Sequence, residues 1–195
     1  YYTVNAIYQG YISKYFQLRG AATAQLSVLL AAAPMISIVS QPFWGMRGDR
    51  AKSRNRVLRL MILLGAGLIL MLPLSRAFGW MLLFNALFAA QYTSIQPMGD
   101  SIILESLLAR GNQPFGPLRL CGSLSFAVVN LVFGLLVGER FEWVIYLTAA
   151  LLVGVFLSTY LLPPTPGHQA ETGRRMSLAD LFRVPGMPPL LALFM

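Results

Sequence analysis

Gly45-Met46-Arg47-Gly48-Asp49-Arg50-Ala51-Lys52-Ser53-Arg54-Asn55-Arg56 is a short, strongly basic stretch between two long apolar runs, residues 22–44 and 57–74. Its five cations cannot be moved into hydrocarbon at tolerable cost, so the stretch must meet water. The runs beside it must avoid water, and each is close to the ~20 helical residues that cross a bilayer core. A cationic turn of this kind between two membrane helices marks the cytosolic side, and the rest of the topology follows from it.

Composition sets the class. Only 11% of the 195 residues are charged and 56% are hydrophobic, whereas about a quarter of a soluble domain is charged. With a mean hydropathy of +0.63, the chain reads as an all-α polytopic membrane protein. A net charge of +8 would suggest nucleic acid in a soluble protein. Here the cations flank apolar spans, so the partner they imply is the anionic inner leaflet of a lipid bilayer and no nucleic acid. Cys121 is the single cysteine and His168 the single histidine, in a Pro/Gly-rich loop, which argues against a disulfide and a metal site. There is no Ser/His/Asp set and no phosphate-binding Gly loop, so neither an enzyme nor a cofactor is expected. The chain opens without Met on apolar residues and closes on 190–195, also apolar. Both ends are therefore expected to be cut from a longer protein.

Six apolar runs predict membrane helices at about 1–16, 22–44, 57–74, 80–108, 118–138 and 143–162. Pro34 predicts a local kink that neighbouring helices satisfy, and Gly65 and Gly67 predict close helix contact. A polar linker is expected at 163–187, with a short interfacial helix at 177–182 capped by Ser177 and Asp180, and a seventh helix from residue 188. The turns after spans two, four and six hold Arg47, Arg50, Lys52, Arg54, Arg56, Arg110, Arg174, Arg175 and Arg183. The opposite turns hold only Lys14, Arg19, Arg76 and Arg140. Loops 45–56, 109–117 and 163–187 are thus expected in the cytosol.

Span four differs from the others. Its inner half carries Gln91, Tyr92, Thr93, Ser94, Gln96, Asp100, Ser101 and Glu105. Carboxylates that persist in a membrane helix usually face a bundle interior or a watery cavity. Asp100 shares a face with Thr93 and Gln96 by helical spacing and reads as a proton or solute group. Gln91 and Gln96 read more simply as helix-joining amides. Tyr1, Tyr2, Asn5, Tyr8 and Gln9 read either as cavity lining or as an interfacial aromatic belt.

The layout of six spans and a cytosolic linker, with the 45–56 stretch, resembles the major facilitator superfamily. That family's signature between helices two and three is roughly Gly-x-Leu-Ala-Asp-Arg-x-Gly-Arg-Lys, and Gly45, Gly48, Asp49, Arg50 and Arg54 fall on its positions. Arg47 stands where Leu is usual and Lys52 where the second Gly is. The resemblance implies one half of a twelve-helix fold, itself a 3+3 inverted repeat, with the loop acting as a cytosolic gating latch. Gly45 is expected to let helices approach closely. Phe115-Gly116-Pro117-Leu118-Arg119-Leu120-Cys121-Gly122-Ser123 is similar to the corresponding hairpin of lactose permease and of the nucleoside and phenylpropionate proton symporters. There an acid of helix four and an Arg of helix five meet in the substrate cavity.

With a hairpin turning near residues 111–112, Glu105 and Arg119 fall at similar depth, and Asp100 lies ~7–8 Å deeper. Glu105 is then the easier ion-pair partner of Arg119 and Asp100 the better cavity group. Glu105 reads equally as a structural salt bridge or a solvated acid, and Arg119 equally as a cavity cation or a cytosolic anchor. The candidate proton and substrate set is Asp100, Glu105, Arg119, Gln96 and Thr93. The resulting expectation is the amino-terminal half of a bacterial inner-membrane secondary transporter. It would work with its carboxy-terminal half in proton-coupled symport of a small organic solute such as a sugar, nucleoside or aromatic acid. A proton-driven efflux antiporter, and a non-transporting receptor or assembly protein on the same scaffold, are the alternatives.

Overall fold

A computed structural model describes residues 1–109, 114–138 and 140–167. Among them the secondary structure is helical throughout: α1 (Tyr2–Leu18), α2 (Thr23–Arg50), α3 (Arg54–Ile69), α4 (Phe78–Ala109), α5 (Gly116–Val137) and α6 (Trp143–Ser158), with single 3-10 turns at Leu72–Leu74 and Thr159–Leu161. Among the described residues four segments are by length and composition apolar enough to cross a membrane: Thr23–Arg50, Arg54–Leu74, Gly116–Val137 and Trp143–Leu161. The hinge at 110–113, Glu139, His168, the linker beyond residue 167 with its expected short helix, and the seventh helix lie outside the described residues.

The basic stretch is less of a loop than the sequence suggests. α2 continues through Arg50 and α3 begins at Arg54, so only residues 51–53 form the turn. Arg47 and Arg50 occupy the last turn of α2, where cations complement the negative end of the helix dipole. Pro34, Pro42 and Pro97 all lie within continuous helices. Pro117 sits in the first turn of α5, where a missing N–H costs nothing.

The packing pattern has an internal symmetry. α2 packs on α4 as α1 packs on α5, α3 on α4 as α1 on α6, and α3 on α6. Exchanging the first three helices for the last three maps these main contacts onto one another, while the slighter α1–α2 and α2–α3 contacts have no counterpart of like extent. With all six helices crossing the bilayer, each trio crosses an odd number of times, so the second runs in the opposite sense, which is a 3+3 inverted repeat.

Lipid tails are as apolar as Leu, so close packing and interhelical hydrogen bonds hold the helices together. Tyr8 donates to Asn85 Oδ1 at 2.7 Å, and Asn85 Nδ2 donates to the Leu29 carbonyl at 2.8 Å, tying α1, α4 and α2. Tyr11 donates to the Asn130 carbonyl at 2.7 Å, and Asn130 Nδ2 returns to the Ala6 carbonyl at 3.2 Å, tying α1 to α5. Bonds of this kind contribute roughly 0.6–2 kcal/mol each within a membrane. Tyr8, Phe88 and Tyr92 form an aromatic cluster between α1 and α4, with centroids 4.8–5.1 Å apart.

The close approaches occur at other glycines than those expected. Around Gly45 and Gly67 an added Cβ would meet nothing among the described residues within 4 Å, and at Gly65 it would meet Phe88 at an ordinary 3.7 Å. Gly48 is the tight position of α2, where a Cβ would come 2.8 Å from Met98 Cε.

Candidate functional site

The inner half of α4 presents polar groups to two different places. One is a cavity of about 360 Å³ bounded by α1, α3, α4, α5 and α6, whose polar lining includes Tyr1, Tyr2, Gln96, Asp100, Arg119 and Ser158. Gln96 and Arg119 both act electrostatically on Asp100. Gln96 accepts from Asn5 Nδ2 at 3.4 Å and donates to the Tyr2 hydroxyl at 3.3 Å, so it joins helices and lines the cavity at once. Asn5 Oδ1 also accepts from Tyr92 and, at 3.2 Å, from Gln9 Nε2. An acid, a cation, an amide and phenol hydroxyls thus converge on a space of the size small-molecule sites occupy, roughly 300 Å³ and upward.

The second place is the buried guanidinium of Arg54. Its Nη1 donates to Glu105 Oε2 at 2.9 Å, and its Nη2 donates to Ser101 Oγ at 3.0 Å and sits 3.4 Å from Asp49 Oδ1. Among the described residues, both salt bridges within 4 Å belong to Arg54. The ion pair expected between Glu105 and Arg119 is therefore replaced by one between Glu105 and Arg54. The reason is angular. Asp100 and Glu105 are five residues apart, which at 3.6 residues per turn puts them ~140° apart around α4, so only one of them can face Arg119. Ser101 and Glu105, four apart, share the face that meets α3.

Thr93 is not with Asp100 and Gln96 either. It shares their face by periodicity but sits ~10 Å from Asp100 and ~4.5 Å from Gln96 along the axis, where α2 covers it. Its Oγ1 donates to the Ala89 carbonyl at 2.8 Å and lies 3.3 Å from Ser40 Oγ, while Gln41 Nε2 donates to its carbonyl. There it lines a separate cavity of about 310 Å³ with Tyr8, Gln9, Asn85 and Tyr92.

Of the expected gating residues, Asp49 and Arg54 belong to the ion-pair cluster and Gly48 packs against Met98. Gly45 lines a small cavity of about 150 Å³ beside that cluster, and Arg50 ends α2. Sequence reasoning did not single out Asn55, Arg59 or Thr159. Arg59 Nε donates to Thr159 Oγ1 at 3.1 Å, and its guanidinium lies 3.9 Å from the centre of the Tyr160 ring, fixing α3 to the end of α6. The available signal was polarity at helical spacing near the start of span three. The same holds for Asn85 and Asn130, isolated amides in otherwise apolar stretches.

The family described as MFS_1 like matches residues 1–180. The chain belongs to the MFS_1-like family. This MFS_1-like chain is 28% identical over 153 residues to the maltose permease of Geobacillus stearothermophilus, covering 77% of this chain and 38% of that protein. It is equally 28% identical over 163 residues to the transporter YwbF of Bacillus subtilis strain 168, covering 83% and 39%. Its fold is shared with the crystal structure of the nucleoside transporter NupG at a TM-score of 0.80 and 19% identity, over 99% of this chain and 49% of that one. The chain thus spans about two fifths of the length of these curated relatives and half of that structure. The MFS_1-like assignment accords with the major facilitator resemblance, and the protein is a multi-pass integral membrane protein built as a six-helix half of that fold.

Proposed function

We propose that the protein is a secondary active transporter that moves a small polar organic solute by alternating access, with Asp100 as the group that couples solute to proton. The observation that carries this reading is the meeting of Asp100, Arg119 and Gln96 in one cavity inside a membrane bundle. An unpaired carboxylate held there would be costly, and such groups mark ion and substrate pathways. Ionised Asp100 attracts the Arg119 guanidinium across the cavity. Protonation removes that attraction and frees Arg119, Gln96 and the phenol hydroxyls to hold solute oxygens. Release on the cytosolic side returns the proton and resets the pair.

Similarity to a maltose permease and shared fold with a nucleoside transporter support a hydroxyl-rich solute such as a sugar or nucleoside. The cytosolic end is the one that carries Arg47, Arg50, Lys52, Arg54 and Arg56. There Asp49, Arg54 and Glu105 form the latch between conformations, with Gly45, Gly48 and Arg50 shaping it. The chain forms the amino-terminal half, and its carboxy-terminal partner completes the solute path.

In proteoliposomes, the full-length protein is expected to accumulate solute when the outer solution is made acid relative to the lumen. Asp100→Asn should abolish accumulation while keeping solute exchange at equal concentrations. Accumulation that survives Asp100→Asn undiminished rejects Asp100 as the coupling group. Uptake driven by an outward proton gradient instead would make the protein an antiporter.

A further inference from the structure

The chain leaving α6 turns back across the α2–α3 turn and is bonded to it along its length. Asn55 Nδ2 donates to the Pro163 carbonyl at 2.9 Å, and Asn55 Oδ1 accepts from Thr165 N at 3.1 Å. Arg54 N donates to the Thr165 carbonyl at 2.9 Å, and Gly167 N donates to the Ala51 carbonyl at 3.0 Å. Residues 163, 165 and 167 thus meet 55, 54 and 51 in antiparallel order. Asn55 and Thr165 are both buried, with 3% and 8% of their surface exposed. At Gly167 an added Cβ would collide with the Gly48 and Asp49 carbonyl groups, so the contact admits no side chain there.

This segment serves a helix end that lacks its own cap. The first N–H groups of a helix have no partner within it, and among the described residues Ser53, which precedes α3, makes no side-chain cap bond. The Thr165 carbonyl takes the Arg54 N–H instead. Arg54 is therefore held at its backbone by the segment after α6 and at its guanidinium by Glu105, Ser101 and Asp49. One residue joins the ion-pair cluster to the start of the chain that leads onward from the bundle.

We infer that Asn55 is a positioning residue for the Arg54–Glu105 pair. It acts by strapping residues 163–167 across the α2–α3 turn, so that the path of the chain beyond α6 sets the strength of the latch. The inference rests on the latch reading proposed above and adds a residue and a segment to it. Asn55 lines neither the Asp100 cavity nor the small cavity beside Arg54, and its side-chain hydrogen bonds go to Pro163 and Thr165; its effect passes through the backbone of Arg54.

The test uses Cys121, which is exposed on α5, as a reporter in full-length protein whose other cysteines are replaced. Its alkylation rate by a small maleimide is measured in Asn55→Ala, Asn55→Asp, Glu105→Gln and the Asn55→Ala/Glu105→Gln pair, with thermal unfolding followed on each. Glu105→Gln and Asn55→Ala are each expected to change the rate about fivefold in the same direction, the population shift brought by one hydrogen bond of ordinary net strength. The double variant is expected to move it no further than the larger single, because both changes act on Arg54. Asn55→Asp keeps the acceptor for Thr165 N and loses the donor to Pro163, so it should give a smaller shift, and it carries the test if Asn55→Ala does not fold. Multiplied effects in the double variant, or unmoved rates in both Asn55 variants while Glu105→Gln changes its own, would overturn the strap and leave the latch standing. An unmoved rate in Glu105→Gln removes the latch itself, and the positioning role with it.

Discussion

Arg54 is a single buried cation shared by two acids, and the geometry ranks them. Glu105 lies at 2.9 Å and Asp49 at 3.4 Å, and each acid keeps about a third of its side chain in contact with solvent. Glu105→Gln should therefore destabilise the protein more than Asp49→Asn, by ~1 kcal/mol against a few tenths, below the 1.5–3 kcal/mol of a fully sheltered charged bond. Arg54→Met should cost more than either, since it removes at once a buried cation's bonds to Glu105 and Ser101 and its approach to Asp49. Thermal unfolding in detergent at low and high salt checks both the order and its electrostatic origin, because screening should narrow the gap between the two acid variants. A larger loss in Asp49→Asn than in Glu105→Gln would contradict the geometry. At this scale the sequence showed which residues were unusual but not which met. Depth along a hairpin can be counted from residue numbers, and that placed Glu105 beside Arg119. The angle around α4 decided otherwise, and it sends Glu105 to α3 while Asp100 keeps the cavity.

At the scale of elements, helix existence was legible and helix contact was not. Runs of about 20 apolar residues announce spans, because the bilayer demands that length. Which face of a span is packed leaves little trace, since lipid and protein interior are equally apolar. Gly67 thus looked like a contact glycine and faces open space among the described residues, whereas Gly122 supports the α1–α5 seam. A Cβ there would fall 2.5 Å from the Tyr2 ring, and one at Gly134 would fall 2.5 Å from the Tyr11 hydroxyl. Gly122→Ala is expected to cost about 1–3 kcal/mol by overpacking, while Gly67→Ala should be neutral or slightly stabilising through its higher helix propensity. Adding Tyr2→Ala to Gly122→Ala should recover part of the loss, and thermal unfolding of the three variants decides it. Equal effects at Gly67 and Gly122 would mean that α1 and α5 do not approach as closely as they do here.

For the molecule as a whole, the symmetry of the packing singles out α2 and α5. They occupy equivalent places in the two trios, each against the first helix of the other trio. Within the best membrane-spanning windows only 17% of α2 and 6% of α5 is buried, against 39% for the α3 span and 33% for the α6 span. Met35, Ile38, Leu131 and Leu135 are 65–77% exposed. A chain that covers 49% of a structure sharing its fold leaves room for a second body of similar size. Two helices related by the internal repeat are both left open, and they are the faces such a body is expected to cover. Nitroxides placed at Ile38 and Leu135 of the full-length protein are therefore expected to be shielded from oxygen dissolved in the bilayer. One at Leu63 of α3, 47% exposed here, should remain accessible despite its lesser exposure in this half. Accessibility that instead followed the exposures seen here, with Ile38 and Leu135 the most open to lipid-phase oxygen, would place α2 and α5 on the lipid boundary and the second body elsewhere on the bundle.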